Sequence, residues 1–174
     1  AADGRLWVGG DGGLVARTAG GGWRAVADTL DVRGLTETAD GALWLATGDH
    51  GLVGLRDGGT RAFRVPDGLP TDHLSFVALD SLGFMWLGAG RSMLRLHLDT
   101  ADAFLDGTGE PPSVTKIPAS AGHGGVSRWV RRVAVDEDGA IWVPSMDGVV
   151  RIDPARFAHQ HAHHASVSVE ALRT

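Results

Sequence analysis

Asp40-Gly41-Ala42-Leu43-Trp44-Leu45-Ala46 decides the fold, because the chain repeats it. Related stretches stand at Asp3-Gly4-Arg5-Leu6-Trp7-Val8-Gly9, at Leu82-Gly83-Phe84-Met85-Trp86-Leu87-Gly88 and at Asp138-Gly139-Ala140-Ile141-Trp142-Val143-Pro144. Each is followed by a turn and a second apolar run: Gly13 to Arg17, Gly51 to Arg56, Ser92 to Leu96 and Gly148 to Asp153. Four copies of strand, turn and strand make an internal repeat. The motif tryptophans lie 37, 42 and 56 residues apart, and the first two intervals fit a unit of roughly 40 to 45 residues. The third is longer by 14, which locates an insertion between Thr100 and Gly125, a Gly-, Pro-, Ser- and Thr-rich stretch carrying Glu110-Pro111-Pro112.

One whole unit reads from Val32 to Pro66 as four strands: Val32 to Thr36, Leu43 to Thr47, Leu52 to Leu55 and Arg61 to Val65. Asp40-Gly41, Asp49-His50-Gly51 and Asp57-Gly58-Gly59 separate them. Such turns need positive φ, which glycine adopts without a Cβ penalty. Short hairpins force a four-stranded antiparallel meander, and a stack of such sheets covers both faces of each while leaving only short edges. The expected fold is therefore all-β, with about four β-propeller blades and almost no helix beyond one turn at Pro154 to Ala158. Residue 1 falls just before a turn, without the strand that should precede it, so a piece of a larger propeller is expected. A closed four-bladed ring is the alternative.

The chain has 174 residues, is 43% hydrophobic and carries a formal net charge of -5, with a pI near 5.8 and a mean hydropathy near zero. It can bury a core of one domain. Nucleic acid and anionic membrane are poor partners for this charge balance, and the one basic cluster, Arg128, Arg131 and Arg132, is short. With no cysteine, disulfides, thiolate metal sites and cysteine nucleophiles are excluded. No apolar run approaches the length of a membrane span, and no signal peptide is visible. Twenty-six glycines, about twice the usual share of roughly 7%, sit at the turns.

Asp-Gly-x-Leu-Trp at 40–44, Gly51-Leu52 at the next strand and the interblade phrase Asp67-Gly68-Leu69-Pro70-Thr71-Asp72-His73 together resemble the two-component regulator propeller repeats. These occur in periplasmic sensor regions of bacterial hybrid two-component proteins, sensor histidine kinases and diguanylate cyclases. The resemblance covers residues 1–157, which it implies are propeller blades. Val149 to Pro154 resembles the last blade of that family, and 158–174 then becomes a linker followed by the first strand of an immunoglobulin-like domain, at Ser166 to Leu172. Two departures are Gly90-Arg91-Ser92 in place of a Gly-Leu turn and Pro144 in the tryptophan strand, which should sit at an edge or bulge.

Repetition at one blade position is what packing between blades requires, so Trp7, Trp44, Trp86 and Trp142 read as core rather than as sugar platforms. Trp23 and Trp129 break the repeat. Trp129 and Arg131, just before Val133-Ala134-Val135, together with His73 and Arg33 at the other first strands, are the candidate ligand-binding residues, because first strands face the propeller channel. The bland reading makes them turn residues satisfying backbone groups. His159, His161 and His163 could hold a metal on one face of a strand, yet lack arranged carboxylates and sit where a linker is expected. Asp3, Asp40, Asp80, Asp136 and Asp138 supply too few oxygens per loop for calcium and read as turn formers. No metal or cofactor is expected.

The resemblance implies an extracytoplasmic, periplasmic ligand-sensing module that is itself non-catalytic, with any kinase or cyclase activity elsewhere in a membrane-anchored, dimeric parent. A small molecule or oligosaccharide is the implied ligand. Two other classes stay open: a protein-protein scaffold, and a propeller enzyme such as a lyase or lactonase, which needs polar groups converging from several first strands. Fold alone does not separate the three.

Overall fold

A computed structural model describes residues 5–18, 20–117, 133–145 and 148–155. The first sheet is a meander of β1 (Trp7–Gly10), β2 (Gly13–Arg17) and β3 (Trp23–Ala27). The second has four strands, β4 (Val32–Glu37), β5 (Leu43–Thr47), β6 (Leu52–Arg56) and β7 (Gly59–Phe63), paired in sequence order. The third contains β8 (Val77–Leu79), β9 (Phe84–Ala89), β10 (Ser92–His97) and β11 (Thr115–Ile117), with helix α1 (Leu98–Leu105) between its last two strands. The fourth is β12 (Ala134–Val135), β13 (Ile141–Ser145) and β14 (Gly148–Ile152). All pairings are antiparallel.

These are propeller blades, and the expected all-β architecture holds. The first strand of each later blade stands beside its neighbour's: β4 lies against β8, and β8 against β12. Gly41, Gly83 and Gly139, one position in three blades, turn with φ of 87°, 79° and 81°, which explains why glycine precedes every tryptophan strand.

Each motif strand divides its side chains between two neighbouring blades. Leu43 and Leu45 join Leu14 and Val32 in a core against the first blade, while Trp44 and Ala46 join Leu74, Val77, Met85 and Leu87 in a core against the third. Phe76 and Trp86 meet Ile141 and Val143 of the fourth. Trp44 and Trp86 are almost fully buried, so their reading as packing residues is right.

Two sequence expectations change. The insertion contains a real helix: Ala101 and Phe104 of α1 are buried, and Phe104 meets Phe63 edge to face at 5.7 Å between ring centres. Leu98, Ala101 and Phe104 recur at helical spacing, a signal masked by the Gly/Pro-rich stretch that follows. Val65, expected to end the last strand of the second blade, instead opens a 3-10 turn over Val65–Asp67. Pro144 pairs with Val149, whereas β12 pairs only with Ile141 and Trp142 among the described residues. The described part of β12 thus stops short of the proline, whose missing N–H costs none of the described β12–β13 bonds.

Candidate functional site

The mouth of the second blade gathers Asp31, Arg33, Gly48 and His73. It begins with a β-bulge: Val32 pairs with Thr47 and Gly34 with Ala46, leaving Arg33 as the extra residue. A bulge re-aims a side chain. Here the guanidinium turns back to Asp31, donating from Nε at 2.9 Å and from Nη2 at 2.8 Å to the same oxygen, Oδ2. The pair is part-exposed, at 31% for Arg33 and 26% for Asp31.

Gly48 closes the arrangement. Its N–H donates to the Asp31 carbonyl at 2.8 Å, and His73 Nδ1–H donates to the Gly48 carbonyl. A Cβ on Gly48 would stand 2.0 Å from Asp31 Oδ2 and 2.6 Å from Arg33 Nε, so only glycine lets the ion pair lie against this turn. Asp31 Oδ1 is buried and accepts no hydrogen bond among the described residues. A buried carboxylate oxygen without a donor is costly. The same turn carries Asp49 and His50, joined at 2.7 Å.

The repeat relates these residues to the other blades. Asp31, His73 and Trp129 each stand 13 residues before a motif tryptophan, and Arg33, Ser75 and Arg131 each stand 11 before. The bulge recurs in the third blade, where Ser75 N–H donates to the Gly88 carbonyl at 2.9 Å and Gly88 N–H to the Phe76 carbonyl at 3.1 Å. Thus His73 and Arg33, from two repeat positions, meet across a blade boundary on Gly48. Asp31, which sequence reasoning missed, is the counterpart of His73. Trp129 and Arg131 lie outside the described residues, as do the histidine cluster and the strand expected within 158–174.

The interblade phrase does structural work. Asp67 accepts from the Arg64 backbone N–H at 3.0 Å, Gly68 adopts φ 105°, and Leu69 and Leu74 are buried. Asp72 takes the Val65 N–H at 2.9 Å and the Arg64 side chain at 3.2 Å.

Asp80 and Asp136 are more than turn formers. Asp80 accepts from the N–H groups of Leu82 and Phe84 and, through Oδ2, from the Trp86 indole at 2.8 Å. Asp136 repeats this with the Ala140 N–H and the Trp142 indole, both at 2.8 Å, and these donors hold its carboxyl below the usual range. The signal was present in the sequence as aspartate six residues before tryptophan. In the second blade that position is Thr38. Its hydroxyl meets the Asp40 carboxylate and the Ala42 carbonyl, and the buried Trp44 indole N–H has no acceptor among the described residues.

Among the described residues, no three His, Cys, Asp or Glu side chains are grouped to hold a metal ion, and no helix is long and apolar enough to cross a membrane.

No family model matches the chain, and no curated protein matches it in sequence. Solved structures do. The extracellular domain of a protein assigned as a hybrid two-component system from B. thetaiotaomicron superposes with a TM-score of 0.66 at 20% identity, over 91% of this chain and 21% of that one. Virginiamycin B lyase from Staphylococcus aureus gives 0.61 at 18% identity, over 88% of this chain and 50% of the lyase. A protein assigned as a gluconolactonase gives 0.60 at 19% identity, over 87% and 57%. The chain therefore spans about half the length of the lyase and of the assigned gluconolactonase, and less than a quarter of the extracellular domain. At such identities the likeness establishes the β-propeller fold alone. The expectation of a non-catalytic chain is corrected by it: a lyase and a gluconolactonase share this fold, so blade architecture gives no ground for excluding an enzyme.

Proposed function

We propose that the chain is a ligand-sensing propeller module of an extracytoplasmic bacterial receptor, of the two-component regulator propeller type, with the ligand held at the mouth of the first strands. Residues 1–157 then form the blades and 158–174 lead to an immunoglobulin-like domain. The observation that carries this reading is the part-exposed Asp31–Arg33 pair on Gly48, with His73 joining from the next blade. Trp129 and Arg131 stand at the same repeat positions of the fourth blade as Asp31 and Arg33 and are proposed by that correspondence as further ligand-binding residues. Cation, carboxylate and imidazole side by side suit a polyhydroxylated ligand such as an oligosaccharide, which offers donors and acceptors on its edges. The shared fold of the B. thetaiotaomicron extracellular domain supports the same assignment.

The test is a longer read of the gene. A membrane-spanning helix and a kinase or cyclase domain encoded in frame beyond Thr174 is the expected result, and a stop codon near Thr174 overturns the sensor reading.

A further inference from the structure

Arg33 brings a cation to the mouth of the second blade, and its charge is already answered. Nε and Nη2 both donate to Asp31 Oδ2. These two N–H groups form an edge of the planar fork on which a carboxylate is held by parallel bonds. Asp31 occupies that edge, and Nη1 takes no part in the pair. Both side chains are part-exposed, so an approaching ligand meets the aspartate together with the arginine.

The imidazoles of the same mouth are committed in a way that leaves acceptors facing out. His73 gives its Nδ1–H to the Gly48 carbonyl, and His50, on the Gly48 turn, gives its Nδ1–H to Asp49 Oδ1 at 2.7 Å. In a neutral ring the other nitrogen, Nε2, is then an acceptor. Asp49 is 51% exposed, and a carboxylate only accepts. Arg64, in the segment that leads to His73, is engaged as well, donating from Nη2 to Asp72 at 3.2 Å. Three carboxylates, Asp31, Asp49 and Asp72, thus stand with two guanidinium groups, and no cation among them is left without a carboxylate.

We propose that this mouth selects a hydroxyl-rich ligand without negative charge, and that Asp31 sets the preference. A sugar hydroxyl donates to an imidazole Nε2 or a carboxylate and accepts from Arg33 Nη1, so a neutral ligand matches donors and acceptors alike. A carboxylate, sulfate or phosphate on the ligand brings acceptors only, and it meets a cation that Asp31 has already neutralised. The inference rests on the ligand-binding reading above and adds to it the charge of the ligand.

Calorimetric titration of the 174-residue chain with matched pairs of oligosaccharides reads the preference. Each uronate-containing oligosaccharide is compared with its carboxyl-reduced form, which keeps the rings and linkages and loses the charge. The wild type is expected to bind the reduced member about tenfold more tightly at low salt, with the gap narrowing at roughly 0.15 M ionic strength. Asp31→Asn keeps an oxygen for Arg33 and removes the charge, so the ratio should fall to about one or invert. Asp49→Asn, at an exposed turn position, should move the ratio the same way by a smaller factor, and it decides the matter if circular dichroism shows that Asp31→Asn does not fold. A wild type that binds the charged member as tightly as the reduced one, or more tightly, overturns the inference and leaves the ligand-binding reading standing. So does a ratio that a folded Asp31→Asn leaves unchanged, or, where that variant does not fold, one unchanged in Asp49→Asn. Binding of neither member of any pair overturns the ligand-binding reading, and this inference with it.

Discussion

Thr38 leaves a buried donor without a partner, and this residue distinguishes the second blade from the third and fourth. Trp86 and Trp142 give their indole N–H to aspartates six residues earlier; Trp44 has none there. An unmet buried N–H costs about 1–3 kcal/mol. Thr38→Asp copies the Asp136-x-Asp138 arrangement of the fourth blade, so proximity to Asp40 has a precedent. The expected gain is about 1 kcal/mol, read as a rise in Tm of about 2–4 °C by calorimetry; an unchanged or lower Tm contradicts the clasp. At this scale the sequence was only partly readable. Glycine and tryptophan announce the repeat because each position admits little else, whereas an aspartate beside a turn reads the same whether it serves the backbone, an indole or an ion pair. Asp31 was missed for that reason: its partner Arg33 is two residues away, but a bulge brings them together, and a bulge has no local signature apart from Gly34.

Helix α1 joins the third blade to the second, and it shows what an insertion can do. Phe104 sits in the core shared by Trp44, Phe63, Leu74 and Leu87, under the Arg61 guanidinium, which lies 3.9 Å from its ring and donates to its carbonyl at 2.7 Å. Arg56 reaches Asp102 at 2.9 Å and Asp106 at 2.8 Å on the helix, and Asp40 on its own blade at 2.6 Å. Gly54 makes room for the contact, since a Cβ there would fall within 3 Å of Trp44 and Leu105. Phe104→Ala should lower unfolding free energy by about 3–5 kcal/mol, measured by urea denaturation; a loss below about 1 kcal/mol would show that the helix only decorates the surface. The strands of the complete unit were legible because turn glycines bound them closely. The helix was not, because eight residues beside a loop-like composition carry too little periodicity.

At the scale of the molecule, four meanders share one register of glycine turns and tryptophan strands, and the sites that vary lie where first strands begin. That division explains how much of function the sequence disclosed. The repeat removes most aromatic residues from candidacy by making them core, and it marks two positions, 13 and 11 residues before each tryptophan, where blades differ: Asp31, His73 and Trp129, then Arg33, Ser75 and Arg131. A propeller fold found both in the extracellular domain of a protein assigned as a two-component system and in a lyase leaves function to the site rather than to the fold, and the proposed ligand site lies at these variable positions. The most direct measurement is a chemical-shift titration of the 15N-labelled chain with neutral and uronate-containing oligosaccharides. Saturable shifts centred on Asp31, Arg33, Gly48 and His73, and lost in Arg33→Ala, are the predicted result. Shifts confined to the outer strands β7 and β11, or no binding by any member of the panel, would contradict it.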